Sequence, residues 1–147
     1  MAIRHVLYVE DDARAAANLV GMVATLALPI LVHVVESATR ALEFLGQRGP
    51  FTGAPIASLI VLDLGLPLVS GHELLQSLKH DPVYSAIPVI VYTRSQSDAD
   101  RYLAQYHGAE YLVKPPRGPA LGAVARLINA RAHGDDGHAD ITEDPPA

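Results

Sequence analysis

Four short stretches of the chain carry groups that could do chemistry together: the acidic run Glu10-Asp11-Asp12, then Asp63, Thr93 and Lys114. Each follows directly on a short apolar run. Carboxylates gathered in one place repel, so either some of them take up protons or a cation sits among them. Oxygen ligands with no His or Cys nearby favour a hard ion, and Mg²⁺ keeping some of its waters is the natural occupant. Such an ion neutralises a carboxylate nucleophile and draws in a phosphoryl group. Aspartate is an established covalent acceptor of phosphoryl groups, and the site must then supply little beyond positioning and charge stabilisation. Lys114 offers a mobile point charge for one phosphoryl oxygen. Thr93 offers a hydroxyl donor for another.

The elements around these residues predict that they meet. β-Branched and aliphatic runs predict strands over 3–9, 30–35, 57–62, 88–92 and 110–113. Helical spacing predicts helices over 13–27, 38–45, 98–107 and 119–133, the last with Pro near its start. Residues 65–71 read as a turn, with Ser70 as N-cap of another helix whose apolar positions are Leu74, Leu75 and Leu78. Five strands alternating with five helices imply an α/β fold, a parallel sheet covered on both faces. In open sheets of this kind, sites form at the carboxyl ends of strands near the point where strand order reverses. Strand one ends in the acidic run, strand three in Asp63, strand four in Thr93 and strand five in Lys114-Pro115.

Composition excludes other classes. The 147 residues suit one compact domain, half of them apolar but never in a run near the ~20 residues of a membrane span. The apolar stretch at the start turns acidic too soon for a signal peptide. With no cysteine there is no disulfide framework, thiolate metal site or redox switch. A cytoplasmic protein is expected. The net charge of −5 equals the five acids of 134–147, a stretch without Lys or Arg, and the remainder is balanced at 11 against 11. A neutral body lacks the clustered cations that nucleic acid requires. The organisation expected is one domain over 1–133 and an acidic tail over 134–147, disordered by its composition.

Four segments carry a family resemblance: VLYVEDD (6–12), LIVLDLGLPLVSG (59–71), IPVIVYT (87–93) and GAEYLVKP (108–115). In order and at this spacing they resemble the receiver domain of two-component response regulators, over about residues 3–133, and the stand-alone type in particular. The resemblance implies a doubly wound five-stranded sheet in the flavodoxin-like order 2-1-3-4-5. It implies that Asp63 is the phosphoacceptor, and that Glu10 and Asp11 hold Mg²⁺ directly or through water. Asp63 and the backbone carbonyl of Gly65 complete the metal site, so the missing side chain at Gly65 removes no ligand. Thr93 matches the switch hydroxyl and Lys114 the phosphate-binding lysine. Tyr111 matches the aromatic switch that turns inward when the hydroxyl moves, and the Lys114–Pro115 bond is usually cis in the family. A sensor histidine kinase or a histidine phosphotransfer protein would be the phosphodonor. No output domain is expected, so the chain would act on another protein, relay its phosphoryl group, or self-associate through the fourth helix, fifth strand and last helix. No enzyme activity beyond its own phosphorylation and dephosphorylation is implied.

Two residues depart from the family pattern. Arg94 stands where a small residue is usual, and either restricts access to the phosphoryl group or pairs with it. Gly65 leaves open space beside Asp63. Plainer roles also compete: Asp12 suits a helix N-terminus, and His72, His80 and His107 read as solvated helix residues. A flavin mononucleotide module would need Ser, Thr and Gly amides in the first loop, where three acids stand. A phosphatase of the haloacid dehalogenase type would need Asp at position 65. The remaining alternative is a receiver-like scaffold that binds partners without phosphorylation, although none of the key residues is missing.

Overall fold

The structure is a computed structural model and describes residues 2–115 and 119–135. Strands and helices alternate as β1 (Arg4–Val9), α1 (Ala13–Thr25), β2 (Ile30–Val35), α2 (Ala38–Leu45), β3 (Leu59–Leu62), α3 (Gly71–His80), β4 (Val89–Thr93), α4 (Asp98–Tyr106), β5 (Glu110–Val113) and α5 (Pro119–Ala132). All strand pairs are parallel and run in the order β2-β1-β3-β4-β5, the doubly wound sheet expected from the sequence. The chain leaves β1 for β2 on one side and returns to β3 on the other. That reversal opens a crevice at the carboxyl ends of β1 and β3.

Side-chain alternation along β1 builds two cores. Leu7 and Val9 join Ile60, Leu62, Phe44 of α2 and Leu74, Leu75 and Leu78 of α3 on one face. Val6 and Tyr8 join Leu59, Val61, Leu19 of α1 and Ile128 of α5 on the other. Every residue of β3 is buried, as a strand covered on both faces requires. β3 begins two residues later than predicted, because Ala57 is buried but pairing with β1 starts only at Leu59 opposite Val6. β4 runs one residue further than predicted, so Thr93 is its last residue rather than the one after it.

Local chemistry fixes the helix starts nearest the crevice. Asp12 caps α1, its Oδ1 accepting from the N–H groups of Arg14 (2.9 Å) and Ala15 (3.2 Å). Those two backbone donors, Ala15 foremost, hold its carboxyl below the usual range. Ser70 and Glu73 form a reciprocal capping box at α3. No peptide bond among the described residues is cis, so the cis Lys114–Pro115 bond implied by the resemblance is not found. Trans is the form an X–Pro bond favours by about 0.5–1 kcal/mol. Among the described residues no helix is long and apolar enough to cross a membrane. From position 136 onward the expected tail lies outside the described residues.

Candidate functional site

Asp63 follows the last residue of β3, and its backbone N–H bonds to the Val9 carbonyl at 3.0 Å. The residue is 8% exposed overall and 12% at its side chain. Glu10 follows β1 and is bound through its N–H to Val35 of β2 at 2.9 Å. It is buried, whereas Asp11 beside it is exposed. One ligand atom from each of Glu10, Asp11 and Asp63 lies within 4.8 Å of the others. Lys114 enters from the end of β5, its N–H fixed by the Thr93 carbonyl at 2.7 Å. Its ammonium donates to Glu10 Oε1 and stands 3.4 Å from Asp63 Oδ2. The structure thus brings Glu10, Asp11, Asp63 and Lys114 into one crevice.

The crevice is electrostatically uneven. Burial pushes the Glu10 carboxyl upward, the Lys114 hydrogen bond opposes this, and the neighbouring Asp63 adds to it. Oε1 of Glu10 also accepts from the Tyr8 hydroxyl at 3.0 Å, and Oε2 accepts from the Asp12 N–H at 3.1 Å. Burial first and Glu10 second push the Tyr8 phenol far above its ordinary value. The same two causes push Tyr92 up to about 12. Tyr92 lies with its ring centroid 5.7 Å from the Lys114 ammonium.

The donor set suits a hard cation. Three carboxylates converge with no His or Cys among them, and a clustered negative charge of this kind is relieved by a divalent ion. The main chain at Gly65 is exposed, and a Cβ there would meet nothing within 4 Å. Its N–H points to Asp63 Oδ1 at 3.4 Å. The residues present therefore fit Mg²⁺ or a similar ion.

Thr93 is buried and its hydroxyl oxygen accepts from the Ser95 N–H at 3.3 Å. Tyr111 is buried too, its hydroxyl donating to the Ser95 carbonyl at 2.9 Å. The aromatic ring expected to turn inward on switching is already inward here, with the Arg101 guanidinium 4.7 Å from its centroid. Ser95, overlooked in the sequence, joins the two: its own hydroxyl bonds to Asp100 Oδ2 at 2.5 Å. Asp100 bonds in turn to His72 Nε2 at 2.9 Å, linking α4 to α3. His72 is therefore not the solvated residue expected, and its Nδ1 is buried with no hydrogen-bond partner among the described residues. Arg94 is exposed (78% at its side chain) and lies 3.4 Å from Asp12 Oδ2.

Gly71 is a second residue whose importance the sequence did not reveal. A Cβ there would lie 2.5 Å from both the Asp63 carbonyl oxygen and the Leu64 Cα. Its N–H bonds to the Leu64 carbonyl at 3.1 Å. Glycine is what lets α3 start against the main chain that carries Asp63.

A profile of the response regulator receiver domain matches residues 6–126. This chain belongs to that family. Its receiver resembles Response regulator Rcp1 of Synechocystis sp., 34% identical over 112 residues that cover 74% of this chain and 76% of Rcp1. It resembles Two-component response regulator ORR11 of Oryza sativa subsp. indica at 32% identity, covering 77% of this chain and 72% of that protein. Among solved structures it is similar to the phosphorylated cyanobacterial phytochrome response regulator RcpA, with a TM-score of 0.83 and 26% identity over 92% of this chain and 97% of that one. It is similar also to the Mn²⁺-bound form of Rcp1, with a TM-score of 0.78 and 27% identity over 86% and 92% of the two chains. The receiver is thus a two-component response regulator domain, similar to Rcp1 and to the phytochrome response regulator RcpA.

Proposed function

We propose that this chain is a single-domain response regulator in which Asp63 accepts a phosphoryl group from a phosphohistidine donor in an Mg²⁺-dependent reaction. The observation that carries the reading is the convergence on Asp63 of Lys114, 3.4 Å away, and of two further carboxylates within 4.8 Å. Glu10, Asp11, Asp63 and the Gly65 carbonyl would hold the cation, which supplies positive charge against the phosphoryl oxygens. A carboxylate oxygen of Asp63 bonds to phosphorus while the P–N bond of the donor breaks, and the departing imidazole takes up a proton. Lys114 exchanges its place between Glu10 and Asp63 for a phosphoryl oxygen. Thr93 offers its hydroxyl to another. Hydrolysis returns Asp63 to the carboxylate and releases inorganic phosphate, so the chain catalyses only its own phosphorylation and dephosphorylation.

Switching runs through Thr93 and Tyr111. The Thr93 hydroxyl accepts from the Ser95 N–H and keeps its own proton to donate to the phosphoryl group. As Thr93 moves toward that group it draws on the Ser95 main chain, whose carbonyl Tyr111 holds. A shift at Ser95 reaches Asp100 and hence α3 and α4. The partners are a sensor histidine kinase or histidine phosphotransfer protein upstream, and a protein target, a second copy or a relay acceptor downstream. We place the receiver over residues 1–133, with 134–147 as its tail, in the cytoplasm. A scaffold indifferent to phosphorylation has less support, since Arg94 pairs with Asp12 at the rim.

Intact-mass spectrometry after incubation with a small-molecule phosphodonor tests the proposal. One phosphoryl adduct is expected with Mg²⁺, none after chelation, and none in Asp63→Asn. If neither the small donor nor a phosphorylated histidine protein gives an adduct, the reading fails.

A further inference from the structure

The Tyr8 side chain is fully buried. Its ring packs among the apolar residues between the sheet and α1 and α5, 6.3 Å from the Tyr92 ring. Phenylalanine would fill that space equally well and would leave no buried hydroxyl to satisfy. The hydroxyl instead reaches Oε1 of Glu10 at 3.0 Å. Strand alternation explains the reach, because residues 8 and 10 stand on the same side of the chain as it leaves β1.

Among the described residues Glu10 receives three donors. Tyr8 and the Lys114 ammonium share Oε1, and the Asp12 N–H takes Oε2. Of these, Lys114 is the mobile one, and in the reaction proposed above it moves to a phosphoryl oxygen. The Tyr8 hydroxyl and the Asp12 N–H then remain, one on each carboxylate oxygen, and together they set the plane of the carboxylate. With Tyr8 removed, Oε1 would keep only the mobile Lys114 ammonium before transfer and no donor after it, and the carboxylate could turn about the Asp12 N–H.

We infer that Tyr8 is a positioning residue for cation binding, its hydroxyl holding Glu10 in the orientation in which that carboxylate serves the metal. The inference rests on the Mg²⁺-dependent reading of this site. Partners behind a metal ligand commonly change affinity by about 10–100-fold when removed.

The test is calorimetric titration of Mg²⁺ into the full chain without phosphodonor, for wild type, Tyr8→Phe, Glu10→Gln and the double variant. Tyr8→Phe is expected to weaken Mg²⁺ binding by about tenfold, with the Mg²⁺ requirement for phosphorylation rising in parallel. In the Glu10→Gln background the same change is expected to matter by less than about twofold, because the partner through which Tyr8 acts is gone. Thermal melts of each variant separate this from simple loss of packing, which lowers the melting temperature without moving the Mg²⁺ isotherm. Wild-type affinity in Tyr8→Phe overturns the inference, as does an equal loss in both backgrounds. A wild-type chain that takes up no Mg²⁺ overturns the underlying metal reading itself, and shows this before any variant is compared.

Discussion

Gly71→Ala should damage both stability and phosphorylation, although alanine is normally the better helix residue. In an open helix the exchange gains about 0.5–1 kcal/mol. At Gly71 the new Cβ would lie 2.5 Å from the Asp63 oxygen and the Leu64 Cα, where ordinary contacts begin at 3.4 Å. Both atoms are main chain, so β3 and the start of α3 must separate by nearly 1 Å. Overpacking of this kind costs about 1–3 kcal/mol, more than the propensity gain. A net loss of about 1–2 kcal/mol lowers the melting temperature of a domain this size by roughly 2–8 °C. A displacement of ~1 Å at Asp63 can slow its chemistry by about 10²-fold. Gly21→Ala is the internal control: it lies in α1, and its Cβ would meet nothing within 4 Å. That change should raise stability. The assay is thermal unfolding by circular dichroism with a mass-spectrometric time course of phosphorylation. If Gly71→Ala melts at or above wild type and phosphorylates at the wild-type rate, the steric reasoning is wrong.

Three further outcomes are expected. Arg94→Ala should speed decay of the phosphorylated form by no more than about fivefold, the scale of an exposed ion pair; unchanged decay would show that Arg94 does not guard the crevice. The Ser95 hydrogen bond, and then His72, hold the Asp100 carboxyl below its usual 3.8. The unfolded carboxyl therefore protonates first on acidification, and the stability present above 3.8 drains away as pH falls through the lower folded value. Melting temperatures of Asp100→Asn should accordingly be flatter than wild type below about pH 4. Burial, and then His5, hold His33 below its usual 6.5. The unfolded imidazole takes its proton first, so stability is full above 6.5 and falls as pH drops towards the folded value. Melting temperatures of His33→Gln measured downward from neutral pH should lack that decline.

Much of the site was legible before the fold, because chain order and period-two alternation are local facts. Each of Glu10, Asp63, Thr93 and Lys114 follows or ends an apolar run, and parallel strands deliver such ends to one edge of the sheet. Asp12 was legible as a helix cap for a similar reason, since an N-cap is satisfied by the next three residues. The capping box of Ser70 and Glu73 lies within four residues as well.

What escaped the sequence is non-local. Asp100 and His72 are 28 positions apart, and Ser95 is 16 from Tyr111. No spacing rule links them. Gly71 looks like any turn glycine until the Asp63 main chain is seen behind it. The inward pose of Tyr111 depends on one carbonyl in another loop. By itself the sequence determined which chemical groups reach the carboxyl edge of the sheet, because that follows from where each strand stops. Only the tertiary structure decided how they share their protons and charges there. Lys114 sits on Glu10 as well as near Asp63, and Tyr8 on the same oxygen. Such competition among donors turns on distances of an ångström between strands far apart in the chain.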